Sequence, residues 1–120
     1  MYDVESIRQY CLQKPAAEEC MPFEDDMLVF KVAGKIFLLV SLDEAPVSFN
    51  AKCEPNRAIQ LREMFPQIRP GYHMNKRHWN TVRADFGLSP ALIGELIDHS
   101  YALVIAGLNK KQRQALQQFD

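Results

Sequence analysis

Two runs of the chain, Met27 to Ala33 and Ile36 to Leu42, are rich in β-branched and aromatic side chains and are separated only by Gly34-Lys35. A parallel crossover takes a dozen residues or more, so a link this short makes the two runs an antiparallel hairpin. Just beyond, Val47, Phe49 and Ala51 alternate with Ser48, Asn50 and Lys52. That period of two marks a third strand with one buried face. The fold must therefore accommodate an antiparallel meander.

Helical signals surround it. Asp3 can cap a first helix with Val4, Ile7 and Cys11 on one face, ending at Lys14-Pro15. Glu54-Pro55 starts a short helix whose apolar stripe is Ala58, Leu61, Met64 and Phe65, and Pro66 stops it. Residues 66–77 hold two prolines, a glycine and an asparagine, so they form a structured loop leading into a strand at His78 to Arg83. Ser89-Pro90 opens the broadest helical stripe, with Leu92, Ile93, Leu96, Ile97, Tyr101 and Val104, and Gly107 closes it. Asn109 can cap a last helix carrying Ala115, Leu116 and Phe119, although Lys110 and Lys111 sit at its positive dipole end. The expected class is α+β: two layers, an antiparallel sheet with helices packed on one face.

With 120 residues, 48% of them hydrophobic and 24% charged, residues 1–120 fit a single domain with its own core and leave no room for a two-domain enzyme. The start lacks the basic stretch and apolar run of a signal peptide, and the apolar runs are strand-sized, so a cytoplasmic monomer without a membrane partner is expected. Cys11, Cys20 and Cys53 are odd in number with no C-x-x-C pair, which argues for reduced thiols.

A net charge of -1 excludes a globally basic nucleic-acid binder, but the charge is polarised. Residues 64–84 carry Arg69, Lys76, Arg77 and Arg83 and no acid. Within that stretch, Arg69 to Trp79 combines cations for phosphates with planar Tyr72, His73, His78 and Trp79 and a glycine that admits close approach. Tyr72 and Trp79 are expected to anchor the loop to the core. Metal binding is not expected: His73 and His78 lack ligand spacing, and only His99 and scattered cysteines remain. The acids Glu18, Glu19, Glu24, Asp25 and Asp26 read as a solvated turn without calcium-loop spacing. No nucleophile elbow, phosphate loop or dinucleotide fingerprint occurs, so neither a catalytic site nor a cofactor is expected.

Three segments carry a family resemblance: Tyr10 to Pro15 closing the first helix, S-F-N-A-K-C-E-P from Ser48 to Pro55, and Pro70-Gly71-Tyr72-His73-Met74-Asn75-Lys76 followed by His78-Trp79. In these the chain resembles the MmcQ/YjbR proteins, small bacterial domains with a CyaY- or frataxin-like fold that are described as predicted DNA-binding with a double-wing arrangement. Lys52, Tyr72, His73, Asn75, Lys76, His78 and Trp79 match the family motif; Ala51 stands where many relatives have leucine. Iron binding does not carry over, because the first helix holds only Asp3 and Glu5 where frataxins are acid-rich. The resemblance implies DNA binding; local charge then points to a non-catalytic module whose contact face is built by Arg69, Lys76, Arg77 and Arg83, with Asn75 and His73 as secondary polar contacts. The competing expectation is a protein-interaction or small-ligand module with a cleft lined by Tyr72, His73 and Trp79.

Overall fold

The computed structural model describes residues 1–21, 26–72 and 74–117. Glu24, Asp25, His73 and Phe119, all named above, lie outside the described residues. In chain order the elements are α1 (Val4–Leu12), β1 (Glu18–Cys20), β2 (Met27–Val32), β3 (Lys35–Ser41), β4 (Ser48–Lys52), α2 (Pro55–Met64), β5 (Ile68–Pro70), β6 (Trp79–Arg83), α3 (Pro90–Ala106) and α4 (Lys110–Gln117). The strands form one antiparallel sheet in the order β1-β2-β3-β4-β6-β5, which establishes the α+β class. No helix is long and apolar enough to cross a membrane among the described residues.

The helix starts follow their caps. Asp3 accepts from the Ser6 N–H at 2.8 Å, Glu54 from the N–H groups of Asn56 and Arg57, and Ser89 from that of Leu92. Asn109 and Gln112 bond reciprocally, side chain to backbone, a capping box that holds α4 despite its two leading lysines.

One face of the sheet carries Leu28, Phe30, Leu38, Val40, Phe49, Ala51, Ile68 and Val82, and these share a core with Ile7 and Cys11 of α1, Ala58 and Leu61 of α2, and Ile93, Leu96 and Ile97 of α3. A bulge enlarges this core. Phe30 pairs with Leu38 while Lys31 pairs with Ile36, so Phe37 is the extra residue and is buried beside Leu38. Ser100 Oγ of α3 accepts from the Lys52 N–H at 2.8 Å and donates to the Phe37 carbonyl at 2.6 Å, satisfying backbone groups next to the bulge.

Several expectations need correction. The hairpin turn is Ala33-Gly34, one residue earlier than Gly34-Lys35, because Val32 pairs with Lys35. Glu18 and Glu19 belong to edge strand β1 rather than to a turn; both are exposed as expected, and Glu19 accepts two hydrogen bonds from Arg8. Residues 68–70 form β5 within what reads as loop. Ser48 is buried, with Ser41 and Arg83 beside it across the neighbouring strands. Met64 is 69% exposed: α2 ends there, and Phe65 rather than Met64 packs against the core.

Candidate nucleic-acid interface

The pairing that buries Phe49, Ala51 and Val82 sends their neighbours to the opposite, outer face. Lys52 lies beside Trp79, Asn50 beside Thr81, Ser48 beside Arg83, and Arg69 lies across from Thr81 on the other side. Three cations and the chain's single tryptophan thus share one face. At ~3.4 Å per residue and ~4.8 Å between strands, Trp79 to Arg83 spans about 14 Å and Arg69 to Asn50 about 10 Å along the backbone.

The loop after β5 folds back along this face. Thr81 Oγ1 accepts from the Tyr72 N–H at 2.9 Å and donates to Asn50 Oδ1 at 2.5 Å, and Asn50 Nδ2 donates to the Tyr72 carbonyl at 3.4 Å. The loop is therefore held by the backbone of Tyr72. Tyr72 is 70% exposed, which corrects the expectation of a buried anchor, and Trp79 is partly buried on the outer face rather than packed into the helix-side core. Gly71 is buried, and its N–H donates to the Trp79 carbonyl at 2.9 Å. Asn75 shapes the turn, with Oδ1 accepting from the Arg77 N–H at 2.9 Å. Lys76 Nζ donates to the Gly71 carbonyl at 3.3 Å. His78 is partly buried, and its carbonyl accepts from the Cys53 N–H at 2.8 Å.

Arg69, Asn75, Lys76, Arg77 and Arg83 are exposed, and Lys52 is partly buried. Arg83 is partly neutralised by Asp85, one residue beyond the acid-free stretch, with Nε to Oδ2 at 2.9 Å. The Gly87 N–H, Arg83 and Gln67 all donate to Asp85 and hold its carboxyl below the usual carboxylate range. Arg69 and Arg77 make no ion pair among the described residues, and neither do Lys52 and Lys76.

Sequence reasoning missed two features. Arg62 reaches from α2 to Asn80 Oδ1 at 2.7 Å and to the carbonyls of Lys76 and Trp79, so it fixes the base of the loop. Its signal, one of two arginines on a short helix, does not stand out. The second is α4, whose Lys110, Lys111 and Arg113 are exposed and form a basic surface on the helix side. In the sequence these lysines register only as a dipole mismatch.

Other chemistry is sparse. Among the described residues no three His, Cys, Asp or Glu side chains are grouped to hold a metal. Burial pushes the Cys11 thiol up to about 12 and the Cys53 thiol upward as well. His99 Nε2 accepts from the Glu54 N–H at 3.2 Å, and burial together with the Arg57 charge lowers its pKa. The cavity between the helices and the sheet, lined by Ala51, Cys53, Leu61, Val82 and Leu96, is about 10 Å³, room for about one water.

A family model for YjbR matches residues 12–103, which include every outer-face residue named above. The chain belongs to the YjbR family. The YbdF protein of Escherichia coli O157:H7 is 38% identical over 110 residues, covering 92% of this chain and 90% of that protein. YjbR of Escherichia coli K12 is 32% identical over 115 residues, covering 96% of this chain and 98% of its own length. Both are described as uncharacterized, so YjbR membership brings no activity with it. The crystal structure of Deinococcus radiodurans protein DR2400 superposes with a TM-score of 0.91 at 38% identity, covering 98% of this chain and 89% of that one. A Pseudomonas syringae protein gives 0.72 at 27% identity over 84% of this chain and 97% of its own. The basic helix α4 lies outside the residues that the YjbR model matches.

Proposed function

We propose that this YjbR domain is a non-catalytic DNA-binding module that contacts DNA through the outer face of β4, β6 and β5 and the loop joining β5 to β6. The observation that carries this reading is the strand register, which places Lys52, Arg69 and Arg83 on the face that holds Trp79, with Lys76 and Arg77 in the adjoining loop. Cations spaced over a surface of this size neutralise phosphates, and planar side chains beside them give bases a place to pack. The buried thiols support a non-catalytic role: a thiol whose pKa lies well above neutral is protonated and is a poor nucleophile.

The exposed ring of Tyr72 also favours a second reading, a protein-interaction surface centred on Tyr72 and Trp79. Salt separates the two. NMR shift titration of the labelled domain with short DNA, single-stranded and duplex, at ~20 and ~80 mM salt should move Lys52, Arg69, Tyr72 and residues 76–79, and the shifts should weaken steeply at the higher salt. No shift with either DNA at ~20 mM salt ends the DNA reading.

A further inference from the structure

We infer that the DNA this face accepts is single-stranded and is bound with little sequence preference. The inference rests on the DNA-binding reading and concerns which form of DNA fits.

A duplex is read by an element that protrudes into a groove, usually a helix or a two-stranded ribbon. The outer face presents neither. Helices α2 and α3 pack on the opposite side of the sheet. The β5–β6 connection is drawn down along the face, its Tyr72 backbone bonded to Thr81 and Asn50 and its base tied to α2 through Arg62. What remains is a surface where partly buried Trp79 lies beside Lys52, exposed Tyr72 sits over Thr81, and Arg69 is on the flanking strand. Unpaired bases stack on platforms of this kind while their phosphates follow the cations.

Sequence tolerance follows from where the polar side chains are spent. Thr81 Oγ1 and both amide atoms of Asn50 are engaged with each other and with the Tyr72 backbone, and Asn75 Oδ1 is engaged with the Arg77 N–H. Among the described residues these neutral side chains are therefore not left to read base edges, whereas a stacking ring accepts any base. The two rings, Tyr72 and Trp79, suit about two bases, within the number a sheet-based stacking surface commonly takes.

Trp79, the chain's one tryptophan, provides the probe. The full chain is titrated at ~50 mM salt with a (dT)12 strand and with a 12-base-pair duplex, following tryptophan fluorescence and, for any species that leaves fluorescence unchanged, NMR shifts. The expected result is quenching by (dT)12 and affinity at least about tenfold above that for the duplex. Tyr72→Ala, at an exposed position, should keep the fold by circular dichroism and weaken (dT)12 binding about 5- to 150-fold, as expected for loss of one stacked base. The double change Lys110→Ala with Lys111→Ala on α4 should leave it unchanged. Duplex binding equal to or tighter than (dT)12 binding overturns the single-strand inference while the DNA-binding reading stands. Loss of binding in the α4 variant with none in Tyr72→Ala also overturns it, by moving the site to the other side of the molecule. Absence of binding by both DNA forms removes both readings.

Discussion

Arg62 Nε donates to Asn80 Oδ1 at 2.7 Å, joining the helix layer to the strand that carries Trp79. Asn80 is buried on the core side of β6, and the same guanidinium reaches the carbonyls of Lys76 and Trp79 on the loop side. One planar fork thereby sets the loop relative to the sheet, a task to which a lysine's single ammonium is poorly matched.

Arg62→Ala should therefore cost about 2 kcal/mol in urea melts, the value of charge-assisted hydrogen bonds to a partly buried partner. Arg62→Lys should recover less than half of that. If both variants melt with the wild type, Arg62 does not hold the loop.

Gly71→Ala should be costly for a steric reason. A Cβ at this position would lie 2.8 Å from Trp79 Cβ and 2.9 Å from the Trp79 carbonyl oxygen, neither of them the far end of a flexible chain. The β5–β6 pair must spread, at about 1–3 kcal/mol, and the shift of Trp79 should appear as a change in its fluorescence maximum. An unchanged melt and spectrum would show that the loop yields freely.

How far the sequence reveals this molecule depends on the length of each signal. The β2–β3 hairpin, α1, α2 and α3 are legible because their periods persist over several residues and their caps are local. β1 and β5 are not legible: each has three residues, one opens Glu-Glu and the other ends in Pro70, and both exist only through pairing with a neighbour. At the site, Arg69, Lys76 and Arg77 are visible as an acid-free cluster, but the grouping of Lys52 with Arg69 depends on register between strands distant in the chain. Residue type places Tyr72 inside, because tyrosines are usually largely buried; its backbone does the anchoring, a role that residue type does not announce.

Ala33 offers a stabilising change. Ala33 and Gly34 have φ of 51° and 76°, the left-handed pair of a two-residue turn that favours Asn-Gly. Asparagine enters this region more readily than alanine, so Ala33→Asn should add about 0.5–1 kcal/mol, seen as a melting temperature a few degrees higher. A lower melting temperature would mean that the Ala33 methyl contributes packing that outweighs the turn geometry.

Stability should fall as pH drops below about 6.5, partly through His99. Its folded-state pKa is lowered by burial and by Arg57, despite the opposing charges of Glu54 and Glu95. The unfolded chain therefore takes up a proton at a pH where the folded chain still holds the ring neutral, accepting from the Glu54 N–H. The stabilisation is full above the unfolded pKa and declines through the window between the two values. Urea melts at pH 7.5 and 5.5 should show His99→Gln losing less stability between the two pH values than the wild type. Equal losses would remove His99 from the pH response.

The most direct test of DNA binding by the outer face is the salt dependence of affinity for (dT)12, compared between the wild type and the double change Lys52→Ala with Arg69→Ala. With Lys52, Arg69, Lys76 and Arg77 each neutralising a phosphate and Arg83 offset by Asp85, the log-log slope should be about -2.8, a loss of about fiftyfold between 50 and 200 mM salt. The double variant should lower affinity and flatten the slope by about 1.4, while circular dichroism shows the fold intact. A wild-type affinity indifferent to salt, or a slope that the two substitutions leave unchanged, would contradict phosphate binding by this face.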